Sequence, residues 1–436
     1  MQMHREVLRM ATPLVFNLLL DVAVVYTDFF MVAKLGSDAI SAVGMGGQIW
    51  SIYYALLTLF YTGQSAIMTR YIGAKAYKKA SLTLSTFILF GMAIGMPLMV
   101  IWYYLGANIF VWFGAPEGVL TLGQIYVQTM TLVAPLMILN AIFDTAITAY
   151  GNMKTSLYIK IAVVIVNAIL DYLLIFGHGG FEAMGVKGAA IATVAAEILS
   201  FVVYVTLYLR SHTIYTPMVR FHAAVLQKVL RVGIPAVVER LISTLSYLIF
   251  TGIVLRLGSD VYAGFQIGFR LEGLAFMPGM AFAIVAAVLM GQGLGEKNPQ
   301  KSRHAVIVSL YYAVSIMFTV SLLFMLMPET LGRFFTDDPE VLHQAALYLV
   351  IVGVSQVPLG MQFVLAKALN GAGDTRRTFL LSITSMWLVR IIPAMIAVYY
   401  FHSIVGVYLA MISDTFVKAT LLWLRFKSNV WQTIRL

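Results

Sequence analysis

The sequence of 436 residues contains no cysteine, little charge and only seven histidines. The absence of cysteine excludes disulfides, thiolate metal sites and cysteine nucleophiles, and it leaves the redox compartment open. Only 11% of the residues are charged and 61% are hydrophobic, and the mean hydropathy is +0.88. A soluble protein of this length would carry more charged and fewer hydrophobic residues. The composition therefore predicts an integral membrane protein.

Motifs of pumps and membrane enzymes are missing as well. The sequence has no GxxxxGK[ST] phosphate loop and no HExxH zinc motif, and its histidines fall in loops or near the ends of apolar runs. We therefore expect no ATP hydrolysis, no cofactor and no enzymatic activity. A net charge of +10 does not indicate nucleic acid as a partner, because the basic residues are confined to alternate loops.

Long apolar runs make up most of the sequence. Each is long enough to cross ~30 Å of hydrocarbon as a helix, and none shows the alternation of a β-barrel strand. The runs predict twelve membrane spans, near residues 9–33, 40–70, 82–105, 121–150, 157–177, 187–210, 226–257, 261–292, 303–327, 341–371, 378–400 and 404–425.

The basic residues predict the orientation of these spans. Nineteen lysines and arginines lie in the N-terminal segment and in every second loop, against four in the remaining loops. By the positive-inside rule both termini are cytoplasmic, in a multi-pass protein of the cell inner membrane. The N-terminal segment has no cleavage site and is expected to remain as the first helix.

The chain repeats itself at a separation of 222 positions. LGSD occurs at 35–38 and at 257–260, and the same separation relates Pro13 to Pro235 and Gly151 to Gly373. This predicts two six-helix lobes in the same orientation, related by a pseudo-two-fold axis along the membrane normal. The expected divisions are an N-terminal lobe at 1–210, a cytoplasmic linker at 211–224 and a C-terminal lobe at 225–436.

Acids within apolar spans are the candidate functional residues, since a charge at the centre of a span costs ~2.5–3.5 kcal/mol. Asp28 and Asp171 are the principal candidates, and Asn167 lies one helical turn from Asp171. A buried carboxyl group can exchange a proton near neutral pH. A sodium ion would instead need several oxygens held together, which Asp28, Asn167 and Asp171 provide, with Asn140 and Thr193 as further ligands.

Other acids in the spans are secondary candidates. They are Asp144, Glu239, Glu272 and Asp374, with Asp21 and Glu197 better explained as hydrogen-bonding groups between helices. For Asp374 a capping or hinge role is favoured over ion binding, because it follows the helix-ending glycines of LNGAGDTRR. In the repeat, Phe250 stands where Asp28 stands in the first lobe. This substitution suggests that duplication kept the packing scaffold in both lobes and the ion site in one.

Beside the two six-span halves, three segments stand out: PLVFNLLLDVAVVYTDFFMVAKLG, IGFRLEGLAFMPGMAFAIVAAVLMGQGLGEKN and LNGAGDTRR. Together these features resemble the multidrug and toxic compound extrusion (MATE) transporters over the whole chain. The acid of the first span with Asn167 and Asp171 resembles the DinF-like branch. The resemblance implies a monomeric antiporter that exports amphiphilic, often cationic drugs in exchange for H⁺ or Na⁺, among membrane lipids. It implies coupling at Asp28, Asn167 and Asp171, while Glu239 and Asp374 match acids used in other branches.

Three other classes remain open at this point. A flippase for lipids or lipid-linked oligosaccharides would share the architecture, although such proteins commonly carry more arginine in the cavity. A membrane-embedded enzyme would need a catalytic constellation that the sequence lacks. A channel fits less well, since two lobes with isolated acids are typical of alternating access.

Overall fold

The computed structural model describes residues 1–210 and 216–434, and within these ranges the chain is helical with no strand. The helices of the first half are α1 (Gln2–Ala33), α2 (Ser37–Thr58), α3 (Ser65–Gly73), α4 (Tyr77–Trp112), α5 (Glu117–Thr131), α6 (Ala134–Ala149), α7 (Met153–Phe176) and α8 (Val186–Arg210). Helical structure satisfies every backbone polar group internally, which an apolar chain in a bilayer requires.

The second half continues in the same way from residue 223. Its helices are α9 (Ala223–Leu255), α10 (Ser259–Ala275), α11 (Met277–Gly295), α12 (Pro299–Leu326), α13 (Pro328–Gly332), α14 (Pro339–Gly353), α15 (Gln356–Gly371), α16 (Thr375–Ser385), α17 (Ile392–Phe401) and α18 (Ile404–Lys427).

Each predicted span coincides with one helix or with a few consecutive helices. Among the described residues nine helices are long and apolar enough to cross a membrane by themselves, and eleven spans result if each of two bent pairs is counted as one. The bent pairs are α5 with α6, at 47°, and α14 with α15, at 60°. The all-helical prediction is confirmed, but the apolar runs near 121–150 and 341–371 predict continuous spans and do not predict these two bends.

Within the described part of the chain, two spans contain a π-helical turn, at Leu59–Gln64 and at Met386–Ile391. The second turn is explained by Pro393, which lies at the start of α17 and has no backbone N–H to offer the preceding turn. Widened turns of this kind often lie next to functional groups. Here the turn carries Arg390.

The repeat is visible in the backbone as well as in the sequence. Gly36 and Gly258, which precede α2 and α10, have φ values of 107° and 122°. Only glycine adopts such angles without strain, so the conserved LGS turn needs it in both halves. Positive φ recurs at the same separation in two further pairs, Lys75 with Lys297 and Gly151 with Gly373.

The chain divides into two compact units. The N-terminal unit comprises Phe16–Leu230, and the C-terminal unit comprises Arg231–Leu436 together with Met1–Val15. Of the predicted linker at 211–224, positions 211–215 lie outside the described residues. The part from 216 to 222 is non-helical and is held against α4 by Ser85, whose hydroxyl accepts from the backbone N–H of Arg220 at 2.7 Å.

Candidate functional site

A pair of carboxyl groups connects α1 and α7 in the N-terminal unit. Asp28 on α1 and Asp171 on α7 lie within hydrogen-bond reach of each other. Asp171 is completely buried, with 0% of its surface exposed. The structure therefore brings together the two acids that the sequence analysis selected from separate helices.

The pair lacks hydrogen-bond donors. Both carboxyl oxygens of Asp171 and the Oδ1 of Asp28 lack a hydrogen-bond partner among the described residues. Since buried carboxylate oxygens are normally paired, two facing carboxylates without a donor require a proton or a cation between them. The arrangement is chemically suited to binding a single positive charge.

The other predicted ligands are distributed differently. Asn167 is buried one turn before Asp171 on α7, and its Nδ2 has no acceptor among the described residues. Asn140 on α6 instead donates to Oε2 of Glu197 at 2.6 Å. The hydroxyl of Thr193 on α8 donates to the carbonyl of Ala189 in its own helix. Among these five residues, the contact that the structure shows is the one between Asp28 and Asp171.

Asp144 belongs to a separate group of polar side chains in the N-terminal unit. It accepts hydrogen bonds from the hydroxyl of Ser156 on α7 and from that of Tyr204 on α8, the latter at 3.0 Å. Nearby, Lys160 on α7 forms an ion pair with Asp21 on α1 at 2.5 Å. Lys160 did not figure in the sequence analysis, although a lysine inside an apolar span was a readable signal.

The C-terminal unit has an apolar core at the position that corresponds to Asp28. Phe250 is 3% exposed and lies in a cluster with Phe265, at a ring separation of 5.9 Å. The positions that correspond to Asn167 and Asp171 are Val389 and Pro393. The carboxyl pair therefore has no counterpart in the second repeat.

The secondary candidates of the C-terminal unit all have protein partners. Glu272 accepts from the hydroxyl of Tyr348 at 2.6 Å and from Nε2 of Gln356 at 3.0 Å. Asp374 forms an ion pair with Arg425 on α18 at 2.7 Å. Each of these two carboxylates is thus engaged, as expected of groups that join helices.

Glu239 on α9 is the remaining secondary candidate. Its carboxylate is hydrogen-bonded to Ser382 on α16 and lies within electrostatic range of Lys367 and Lys418. Two lysines in this range compensate the negative charge, so Glu239 is not an isolated acid.

The structure also reveals an acid that the sequence analysis missed. Asp414 on α18 is fully buried and is paired with Arg390 at 2.9 Å and with Lys418 at 2.8 Å. Ser385 donates a further hydrogen bond to it at 2.6 Å. The signal available in the sequence was the spacing of four between Asp414 and Lys418 in the last span, which places both on one helix face.

The family profile described as MatE matches the chain twice, over residues 13–173 and 235–396. The probable multidrug resistance protein NorM of Thermotoga maritima is 26% identical over 438 residues, covering 99% of this chain and 94% of the relative. The NorM name belongs to that relative, and assignment of this chain to the DinF-like branch stays a prediction.

Solved structures show the same fold. A MOP superfamily transporter from Pyrococcus furiosus superposes with a TM-score of 0.91 at 19% identity, over 99% of this chain and 97% of the other. The Vibrio cholerae MATE transporter VcmN, in its bent form, gives a TM-score of 0.90 at 20% identity, with coverage of 99% and 98%.

These matches confirm the predicted fold class of twelve transmembrane helices in two lobes. They also confirm a multi-pass membrane transporter and exclude the membrane-embedded enzyme. The two profile matches begin 222 positions apart, at the separation of the internal repeat. The chain therefore belongs to the MatE family of multidrug and toxic compound extrusion transporters.

Proposed function

We propose that this protein is a secondary multidrug antiporter that exports amphiphilic compounds in exchange for protons, with Asp28 and Asp171 as the coupling site. The observation that carries the proposal is the contact between these two carboxyl groups, three of whose four oxygens are buried with no donor among the described residues. The NorM name of the Thermotoga relative supports drugs as the substrates.

A proton suits the site better than sodium. A shared proton supplies the one donor that two facing carboxylates lack. Sodium requires several oxygens at once, and Asn140 is hydrogen-bonded to Glu197 while Thr193 bonds within its own helix. Without them, Asp28, Asn167 and Asp171 remain as ligands.

The carboxyl pair can convert proton binding into a change of structure. With one proton the two groups share a hydrogen bond, which holds α1 against α7. With none, two charges about 4 Å apart at an effective dielectric constant of about 20 repel by about 4 kcal/mol. Proton loss therefore favours a state in which the two helices separate, as alternating access requires.

We also propose that the protein lies in the inner membrane with both termini in the cytoplasm and works as a monomer. The orientation rests on nineteen basic residues in one set of loops against four in the other. Cleavage by a protease added to right-side-out vesicles would test the orientation, since only external loops would be cut.

Reconstitution into liposomes tests the function. We expect an imposed pH gradient to drive efflux of a fluorescent cationic dye, and a sodium gradient of the same size to have no effect. Asp28→Asn should abolish gradient-driven efflux, whereas Asp38→Asn, which removes an exposed acid at the start of α2 in the same unit, should not. Efflux driven by sodium alone contradicts proton coupling. Movement of a fluorescent lipid without movement of dye would establish the flippase alternative.

A further inference from the structure

A shallow groove lies between α7 and α8 of the N-terminal unit. It is lined by side chains from residues 155–163 of α7 and 199–207 of α8, and we call it the α7–α8 groove. Its volume is about 260 Å³ and its lining is almost entirely apolar. Pockets for drug-sized compounds measure ~300–1,000 Å³ and enclose most of the compound. The groove is therefore too small for a complete substrate but has room for part of a hydrocarbon chain.

The groove opens on the side of α7 that faces away from the coupling site. The polar side chains Lys160, Asn167 and Asp171 fall within about 40° of one another around the helix. Ala162, near the middle of the lining stretch, lies two residues beyond Lys160 and thus about 160° around the helix. Tyr158, which also lines the groove, is 66% exposed. The groove is therefore part of the surface that meets lipid in a bilayer.

Two basic residues lie at one end of the groove. Lys154 immediately precedes the lining stretch of α7, and Arg210 follows the lining stretch of α8 by three residues. The two helices are antiparallel neighbours, because α8 begins where a Cβ on Gly188 would meet the backbone of Leu174 near the end of α7. The start of α7 and the end of α8 therefore lie at the same end of the groove.

Neither of these cations is neutralised by an acid. Lys154 and Arg210 are both exposed, and neither forms an ion pair with a residue that the structure describes. The sequence has no aspartate or glutamate from 153 to 170 or from 198 to 210. The nearest acids along the two helices, Asp171 and Glu197, are 17 and 13 positions away, which corresponds to about 25 and 20 Å of helix. Two positive charges are thus available to an anion at the end of the groove.

The dimensions of the groove match one leaflet of a bilayer. Each lining stretch covers nine residues, which corresponds to about 13 Å along a helix, and half of the hydrocarbon core measures ~15 Å. Lys154 and Arg210 then lie at the level of the lipid headgroups, where basic residues attract anionic lipids. Tyr158 lies one turn inside Lys154, and tyrosines of this kind are enriched at the interface.

We propose that the α7–α8 groove binds one anionic phospholipid, with an acyl chain in the groove and the phosphate between Lys154 and Arg210. The guanidinium group donates two parallel hydrogen bonds to phosphate oxygens, and the ammonium group adds a point charge. A lipid fits better than a free phosphate, because the apolar groove begins directly beside the two cations. The inference is independent of the coupling site. In the proposed orientation the lipid belongs to the cytoplasmic leaflet.

Fluorescence quenching by brominated lipids tests this proposal. Since the chain has no cysteine, a bimane label can be placed at Ile165→Cys, an exposed position one turn beyond Ala162. The full-length protein is reconstituted into phosphatidylcholine liposomes that contain equal fractions of either dibrominated phosphatidylglycerol or dibrominated phosphatidylcholine. Because each cation near an anionic lipid contributes roughly fivefold, we expect phosphatidylglycerol to bind about 20-fold more tightly. The same label at Leu323→Cys, exposed on α12 of the other unit, should show no preference.

Variants separate the headgroup contact from the chain contact. Lys154→Gln and Arg210→Gln should each reduce the preference for phosphatidylglycerol about fivefold and leave quenching by phosphatidylcholine unchanged, which also shows that they are folded. Ala162→Phe fills the middle of the groove and should weaken quenching by both lipids. The control Lys78→Gln removes an exposed cation at the start of α4 in the same unit and should leave the preference unchanged.

Four results would overturn the proposal. Equal quenching by the two lipids at Ile165→Cys would mean ordinary contact with the surrounding bilayer. A loss of preference in Lys78→Gln as large as in Lys154→Gln would mean a general effect of net charge. Unchanged quenching in Ala162→Phe would show that no chain lies in the groove, and relief of quenching by inorganic phosphate would identify a site for free anions. Asp28→Asn should keep the lipid preference while losing gradient-driven transport, so this proposal and the proposed function can fail separately.

Discussion

The carboxyl pair makes a quantitative prediction about the spacing of α1 and α7. Two charges about 4 Å apart repel by about 4 kcal/mol, and each 1.4 kcal/mol changes an equilibrium constant tenfold. Removing the shared proton should therefore shift the ratio of separated to joined helices by up to about a thousandfold. We expect the distance between the helices to increase from acidic to alkaline buffer in the wild-type protein.

The absence of cysteine allows this distance to be measured directly. Spin labels at Val25→Cys on α1 and Ile169→Cys on α7, two exposed positions close to the pair, report the separation by double electron–electron resonance. With Asp28→Asn or Asp171→Asn the repulsion is gone, so one short distance should remain at both pH values. A pH-dependent distance that survives in these variants, or no change in the wild-type protein, would refute the coupling mechanism.

Other predictions concern the C-terminal unit, with thermal unfolding in detergent as the main measurement. Asp414→Asn leaves two cations without their shared carboxylate and should lower the free energy of unfolding by about 3–5 kcal/mol. Adding Lys418→Met to this variant should restore part of the loss, and no recovery would contradict the ion-pair assignment. Gly371→Ala places a Cβ against the backbone carbonyl oxygen of Ala287 on α11 and should cost about 1–3 kcal/mol. The control Gly252→Ala meets nothing within 4 Å and should be neutral or stabilising by about 0.5–1 kcal/mol. Asp374→Asn, which breaks a partly exposed ion pair, should lower the melting temperature through a loss of roughly 2 kcal/mol while proton-driven dye efflux continues, so uncoupled transport in this variant would assign it a role in coupling.

The repeat shows why sequence reasoning worked for the scaffold and less well for the interior. Glycines at positive φ recur at the same separation because the turns between spans allow few other residues. The charged groups inside the spans do not recur. Asp414 corresponds to Ala192, and Lys160 corresponds to Ser382. Duplication therefore predicts the turns and says nothing about which buried charges each unit has acquired.

Pairing of side chains across helices was decided by tertiary structure. The sequence grouped Asn140 with Asp28 and Asp171 as candidate ion ligands, yet its amide bonds to Glu197, because packing of α6 against α8 brings them together. Asp374 is a second example, because its ion-pair partner Arg425 lies 51 positions away in the chain. Spacing along one helix defines a face, but it does not identify the helix that packs against that face.

The sequence by itself determined the membrane class, the helical spans, the duplication and the choice of Asp28 and Asp171. These follow from local properties, since an apolar run must be helical in a bilayer and a charge within it requires a reason. Only the tertiary structure decided that these two carboxyls meet, that Lys160 pairs with Asp21 and that Asp374 and Asp414 of the C-terminal unit are paired with cations. Such contacts join residues far apart in the chain, and their positions depend on how whole helices pack.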